Sequence, residues 1–313
     1  MQHLTDYEVV VGTGKFSLRK VIEEVSPKFP EFQLSILKTE KCNRTNFAQI
    51  EVQYNEAKNT APLLPPSIFD NCVDFNDCCK ALYDALLHIE QNLDHYYDSI
   101  DFNNLCKPEN VYYIVCNYEK NKSWQDSPLC WRLHDLLFVP RLFISGDESG
   151  LASLRINQSL YESHFTNLTI DQIKQNTLRL FPVKIESMLD FLDRSGVDID
   201  SDDVKDAYSS ADGILTIVAG VYRGITNAAS AFFEIDDIAN CHWGAKHGLA
   251  ILPSSTLELL FVPADYCPLP QFCSMVREVN MNMVAEEERL SDNVYVYNFK
   301  TKEIECYNED LQS

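Results

Sequence analysis

The chain has 313 residues, of which 45% are hydrophobic, enough to bury one large core or two smaller ones. Its 26 lysines and arginines stand against 47 aspartates and glutamates, and the formal net charge of -21 repels phosphate backbones and anionic lipid surfaces. We therefore expect no nucleic-acid partner and no membrane partner, which leaves an unknown protein or small molecule as the partner.

The first residues show neither the basic head nor the apolar core of a signal peptide, and no apolar run approaches the roughly 18 residues of a membrane helix. The sequence thus predicts a cytoplasmic protein whose eleven cysteines are reduced thiols. It also predicts no cofactor. Gly12 and Gly14 precede Lys15, but their spacing fits neither a phosphate loop nor a dinucleotide fingerprint.

The N-terminal hundred residues alternate strand and helix patterns. Residues 8–14 predict an extended segment that turns into a helix near Ser17. Two half-buried strands are expected at 32–37 and 47–54, where apolar and polar residues alternate. A long helix is expected from about Ser67 to His95, because apolar residues recur there at helical spacing.

The middle of the chain predicts a buried strand at 111–116 and a hairpin made of the apolar stretch 133–144 and residues 151–156. Pro140 lies inside that stretch, and since proline cannot donate to a sheet ladder, we expect it at an edge or a bulge. Thr169 is expected to cap the next helix by accepting a hydrogen bond from the Gln172 N–H.

An acidic run then marks the predicted boundary between an N-terminal lobe, 1–195, and a C-terminal lobe, 210–313. Asp198, Asp200 and Asp202 have the spacing of the first three ligands of a calcium loop. The sixth position is Asp203 instead of glycine and the twelfth is Ser209 instead of glutamate. We expect a solvated linker at 196–209, and a calcium-binding acidic protein stays open as an alternative.

The C-terminal lobe has the densest pattern of the chain. Strands are expected at 213–220, 249–252 and 257–262, and a final hairpin joins 294–299 to 304–307. Between them the sequence predicts a helix from 268 to about 286. Its apolar face is expected to consist of Phe272, Met275, Val276, Val279 and Met283, at positions i, i+3, i+4, i+7 and i+11.

Several of these segments resemble a bacterial family of unknown function, DUF5688, over residues 105–307. The resemblance rests on Asn117-Tyr-Glu-Lys-Asn, Asn176-Thr-Leu-Arg-Leu-Phe-Pro, Gly213-Ile-Leu-Thr, Ala250-Ile-Leu-Pro-Ser-Ser, Ser274-Met-Val-Arg-Glu-Val-Asn and Glu288-Arg-Leu-Ser-Asp-Asn-Val-Tyr-Val-Tyr. It implies a bacterial setting and no particular activity. Where this family often has Pro-Ser-Ser-Ile-His-Glu, the chain has Leu257 in place of the histidine. A serine at this motif therefore lacks a local base.

Taken together, the patterns predict an α+β protein in two lobes, with a mixed or mainly antiparallel sheet packed with helices. No catalytic set is complete, which favours a soluble, non-enzymatic binding or regulatory protein. The alternative is a hydrolase or transferase whose site is assembled between the lobes. Its candidate residues are His242, His247, Ser254, Ser255, Glu258 and Asn280.

Overall fold

The computed structural model of the chain describes residues 2–11, 14–40, 43, 46–54, 63–93, 102–147, 150–187, 190, 193, 215–241, 245–253 and 255–307. The chain divides into two compact units, Met1–Phe102 and Asn103–Ser313. Each is described by itself.

The first unit combines antiparallel strands with two main helices. The strands are β1 (Gln2–Leu4), β2 (Glu8–Val11), β3 (Gly14–Ser17), β4 (Phe32–Glu40), β5 (Asn46–Tyr54) and β6 (Leu63–Leu64). One sheet has the order β1-β4-β5-β6, and β2 and β3 form a hairpin. The helices are α1 (Leu18–Val25) and α2 (Phe75–Gln91), with single 3-10 turns at Ser26–Lys28 and Pro66–Phe69.

Caps and apolar spacing explain where these helices begin. The Ser17 side chain accepts from the Lys20 N–H ahead of α1, and Asp74 accepts from the Asp77 N–H ahead of α2. The predicted helix from Ser67 to His95 thus begins later, since Asp74 is extended and interrupts it. Its core stripe faces inward as the spacing predicts: Cys78, Leu82, Leu86 and Ile89 are buried.

The strands of the second unit form two antiparallel sheets. The central strand of the smaller sheet is β9 (Leu136–Asp147). It pairs with β7 (Val111–Asn117) on one side and with β8 (Trp131–Leu133) and β10 (Gly150–Arg155) on the other. The larger sheet has the order β11-β12-β15-β14-β16-β17, and β13 pairs with β12. Its strands are β11 (Val183–Ser187), β12 (Thr216–Tyr222), β13 (Ile225–Asn227), β14 (Gly248–Leu252), β15 (Leu259–Pro263), β16 (Val294–Asn298) and β17 (Ile304–Tyr307).

The first helix of this unit precedes its strands, and the others lie between strands along the chain. They are α3 (Phe102–Leu105, which begins at the last residue of the first unit), α4 (Gln158–Leu160), α5 (Ile170–Leu180), α6 (Ala229–Phe233), α7 (Ile235–Cys241) and α8 (Leu269–Asn282), together with a π-helical turn at Tyr161–Phe165 and 3-10 segments at Pro108–Asn110 and Glu119–Trp124. The predicted cap of α5 is confirmed, because Thr169 and Gln172 form a reciprocal capping box.

Strand β7 lies at the edge of its sheet, and buried side chains instead of another strand form hydrogen bonds with its outward backbone groups. The Tyr113 N–H donates to Thr177 Oγ1 at 2.9 Å, and Asn227 Nδ2 donates to the Tyr113 carbonyl at 2.8 Å. Tyr113 therefore points both backbone groups away from its ladder partner Pro140. Pro140 lies at a local edge of the sheet, as expected, because β8 pairs with β9 only as far as Phe138 and β10 pairs with it only from Arg141 onward. Its missing N–H therefore costs no ladder hydrogen bond.

The predicted α+β class with antiparallel sheets is confirmed. The predicted lobe boundary at 196–209 lies outside the described residues. On either side of it, β11 and β12 pair with each other, from Val183 opposite Gly220 to Ser187 opposite Thr216. Both strands belong to the unit that starts at Asn103.

Candidate functional site

The sequence candidates fall into two groups. Five of them lie outside the described residues: Asp198, Asp200, Asp202, His242 and Ser254. The other four are described, and each lies in the second unit: His247, Ser255, Glu258 and Asn280.

The described candidates have different surroundings. His247 is exposed, and its carbonyl accepts the Phe299 N–H at 3.1 Å. Ser255 is buried, and its Oγ accepts the Leu257 N–H at 3.0 Å, which is the local turn bond expected of a serine after proline. Glu258 is half-buried. Asn280 is 2% exposed, and its Nδ2 donates to the Ser291 carbonyl at 3.0 Å and to Asp292 Oδ1 at 2.6 Å.

Residues Glu286–Asp292, here called the 286–292 segment, are where the motifs of the family resemblance meet. From the first motif, Asn117 Nδ2 donates to the Leu290 carbonyl at 2.9 Å and Lys120 Nζ donates to the Glu286 carbonyl at 3.2 Å. From the Pro-Ser-Ser turn, the Thr256 N–H donates to the Glu288 carbonyl, and the Pro253 carbonyl accepts the Ser291 N–H. With the bonds of Asn280, three separate motifs hold one segment.

A tight turn brings a carboxylate to the same place. His134 and Asp135 form the two-residue connection between β8 and β9, and His134 has a φ of 55°, which a hairpin turn of this length favours. The Asp135 carboxylate accepts a hydrogen bond from Ser291 Oγ at 2.6 Å and another from the Tyr295 hydroxyl. Ser291 and Tyr295 are both buried, so Asp135 is the acceptor that satisfies two interior hydroxyls.

This cluster links the β8–β9 turn to the 286–292 segment and is not arranged for nucleophilic catalysis. A nucleophilic serine needs a base that takes its proton, most often an imidazole, whereas Ser291 donates to a carboxylate. The nearby His134 is bonded through Nε2 to the Ile304 carbonyl at 2.9 Å. Burial, and then the charge of Asp135, raises the pKa of Tyr295, which keeps its phenol a neutral donor.

The thiol of Cys306 is held protonated beside the same carboxylate. Burial, and then the charge of Asp135, raises the pKa of Cys306 to about 12, whereas a free thiol titrates near roughly 8.5. Above about pH 9 the unfolded chain therefore loses this proton while the folded state keeps it. The free energy of unfolding consequently falls as the pH rises, progressively up to about pH 12.

We expect the urea midpoint to fall between pH 9 and pH 11, and to fall less steeply in Cys306→Ala than in the wild type. The measurement is a series of urea titrations at fixed ionic strength. Cys267→Ala is the comparison, because Cys267 is also half-buried and burial alone raises the pKa of its thiol. Equal slopes for the wild type and Cys306→Ala would contradict the assignment.

Helix α8 leaves one apolar side uncovered. The residues it buries are Phe272, Cys273, Val276 and Asn280. Of the predicted apolar face, Met275, Val279 and Met283 are instead exposed, by 46%, 38% and 81%. These three are four residues apart, so they follow one another along the helix surface. The prediction that they face the core is wrong, since the buried stripe is turned toward Cys273 and Asn280. We call Met275, Val279 and Met283 the α8 apolar surface.

Further exposed apolar residues and several acidic residues lie close to this surface in the sequence. Tyr266 and Met281 are 51% and 71% exposed, so five of the ten large hydrophobic side chains exposed among the described residues lie within 266–283. The stretch 264–288 also carries five acidic residues and one arginine: Asp265, Glu278, Glu286, Glu287, Glu288 and Arg277. An apolar surface within an acidic stretch of the chain suits a basic, apolar segment as its partner.

Neither a metal site nor a membrane helix is found in the parts of the chain that are described. There, no three His, Cys, Asp or Glu side chains converge in a way that could hold a metal ion. No helix within the described ranges is long and apolar enough to cross a membrane.

Fold and site together define an α+β protein in which the family motifs support one another around the 286–292 segment. The profile described as "Family of unknown function (DUF5688)" matches residues 15–298, so the chain belongs to that family. The resemblance drawn from the motifs is thereby confirmed, and the match extends into the N-terminal unit. Comparison with curated proteins and with solved structures gave no match.

Proposed function

We propose that the protein is a non-enzymatic binding protein that holds a basic amphipathic segment of a partner against the α8 apolar surface. The observation that carries the proposal is the exposure of Met275 and Val279 on one side of a 14-residue helix, and of Met283 directly after its last residue. Methionine is flexible and polarisable, and surfaces rich in it adapt to helical peptides laid across them.

The support beneath the surface suits a binding site. The Asn280 side chain is fixed to the Ser291 carbonyl and to Asp292 Oδ1, and Arg289 Nε donates to the Val284 carbonyl at 3.0 Å. The end of α8 is thus tied to the 286–292 segment, so little ordering of the helix is needed on binding. The acidic residues of the stretch 264–288 and the net charge of -21 favour a partner rich in lysine or arginine.

The location proposed for this function is the bacterial cytoplasm. The nine cysteines whose side chains are described are all free thiols, as a reducing compartment leads one to expect. Fractionation of the native cell with an antibody to the protein tests the location, and recovery outside the cytoplasm would overturn it.

The binding proposal is tested with two synthetic helical peptides and the full chain. One peptide combines leucine with lysine and the other combines leucine with glutamate, in the same order. We expect the leucine–lysine peptide to bind, measured by fluorescence anisotropy, and the double variant Met275→Gln/Met283→Gln to weaken it at least tenfold. The reason is that burying two methionine side chains contributes about 1.5 kcal/mol each or more.

Asn282→Gln is the matched control, because Asn282 is exposed on the same helix and is already polar. It should leave the affinity unchanged. Equal binding of both peptides, or no loss in the double variant, would sink the proposal. Concentration-dependent dimerisation that the double variant abolishes would also contradict it, since the occupant would then be a second copy of the chain.

A further inference from the structure

The first unit contains a cleft between its two main helices. It has a volume of about 540 Å³, within the range of roughly 300–1,000 Å³ for small-molecule sites. One wall is formed by α2, with Phe75, Cys79 and Tyr83 four residues apart and Asn76 and Lys80 beside them. The opposite wall carries Glu24 of α1 and Lys28 of the following turn.

Contacts with other aromatic rings of the first unit hold the two aromatic side chains of the α2 wall in place. The ring of Phe75 lies 6.1 Å from that of Phe16, and the ring of Tyr83 lies 5.1 Å from that of Phe29, which is buried. Rings held in this way give a flat ligand a preformed apolar face against which it can stack or meet an edge.

The charges at the cleft favour an anion. Lys28 Nζ stands 5.4 Å from the centre of the Tyr83 ring, and Lys80 lies on the other wall. Within the described residues neither lysine forms an ion pair. Against these groups stands one carboxylate of the lining, that of Glu24.

From this arrangement we infer that the cleft binds a small aromatic anion, with its flat body against the wall that carries Phe75 and Tyr83 and its carboxylate or phosphate near Lys28 and Lys80. The site is separate from the α8 apolar surface, which belongs to the other unit, so either proposal can fail without the other. In a chain with a net charge of -21, two lysines that form no ion pair with the described residues mark one cleft as a place where an anion is tolerated.

The test uses 4-fluorobenzoate, phenyl phosphate and the neutral 4-fluorobenzamide as probes of the full chain. Binding of the fluorinated probes is followed by fluorine NMR line broadening, and phenyl phosphate by competition. We expect 4-fluorobenzoate to bind at least fivefold more tightly than 4-fluorobenzamide. Lys28→Gln and Lys80→Gln should each weaken the anion about fivefold, while Lys20→Gln, an exposed lysine of α1, should not.

The position of the probe is read from thiol protection. Cys79 lines the cleft and Cys267 does not; both are half-buried thiols whose pKa is raised by burial. Saturating 4-fluorobenzoate should slow alkylation of Cys79 by iodoacetamide at least threefold, measured by peptide mass spectrometry, and leave Cys267 unchanged. The inference would be overturned if 4-fluorobenzamide bound as tightly as 4-fluorobenzoate, or if neither lysine variant weakened the anion. It would also be overturned if Cys79 were alkylated at the same rate with and without 4-fluorobenzoate.

Discussion

Replacing Asp135 with alanine is expected to destabilise the second unit by about 3–5 kcal/mol. The carboxylate is the acceptor for the hydroxyls of Ser291 and Tyr295, and both residues are buried. A hydrogen bond to a charged group contributes about 1.5–3 kcal/mol, and an orphaned buried donor costs a similar amount. Tyr295 can turn toward Ser291 Oγ, 3.4 Å away, which offsets part of the loss.

The three tryptophans of the chain lie at 124, 131 and 243, all in the second unit, so their fluorescence during urea unfolding reports this change. Asp135→Asn should lose about half as much, because the amide keeps one acceptor oxygen. Asp126→Ala is the control: Asp126 is exposed in the loop that precedes the same hairpin. If Asp135→Ala unfolds at the wild-type urea concentration, the carboxylate does not support the two hydroxyls.

Replacing Asn227 with alanine is expected to cost about 2–4 kcal/mol. Its Nδ2 donates to the Tyr113 carbonyl at 2.8 Å and its Oδ1 accepts the Ala229 N–H at 3.1 Å, in an interior where the side chain is 4% exposed. The substitution leaves two backbone groups buried without partners, at about 1–3 kcal/mol each. It also uncovers the outward edge of β7.

The same edge depends on Thr177, whose Oγ1 accepts the Tyr113 N–H and donates to the Ile173 carbonyl. Thr177→Val keeps the shape and removes these bonds, so it should destabilise in the same direction by about 1–3 kcal/mol. Asn282→Ala, on an exposed part of α8, should stay within about 0.5 kcal/mol of the wild type. If Asn227→Ala unfolds at the wild-type urea midpoint, the Asn227 side chain does not stabilise the edge of β7.

Local patterns in the sequence predicted the elements well because their causes are local. The Thr169 cap, the strands β4 and β5 and the stripe of α2 each follow from residues a few positions apart. The start of α2 is set by one capping residue, Asp74, which also acts locally.

The candidate site needed information that no local pattern holds. Ser291 and Tyr295 lie inside a family motif, but Asp135, which binds both, is 156 residues away from Ser291. Helical spacing placed Met275 and Val276 on one face, yet only the sheet behind α8 decides which side is covered. The positions of Cys273 and Asn280 turned that side away from the methionines. Periodicity detects an apolar stripe and cannot detect whether a partner covers it.

The pairing of β11 with β12 has a consequence for engineering the chain. Ser187 lies opposite Thr216, so the two ends of the intervening 28 residues are neighbours in one sheet. Since the ladder holds both ends together, we expect insertions within the predicted linker, 196–209, to leave the pairing of β11 with β12 intact. A protease site placed between these strands should yield two fragments that remain associated after cleavage, joined by the sheet. The protein could then be produced as two complementing halves.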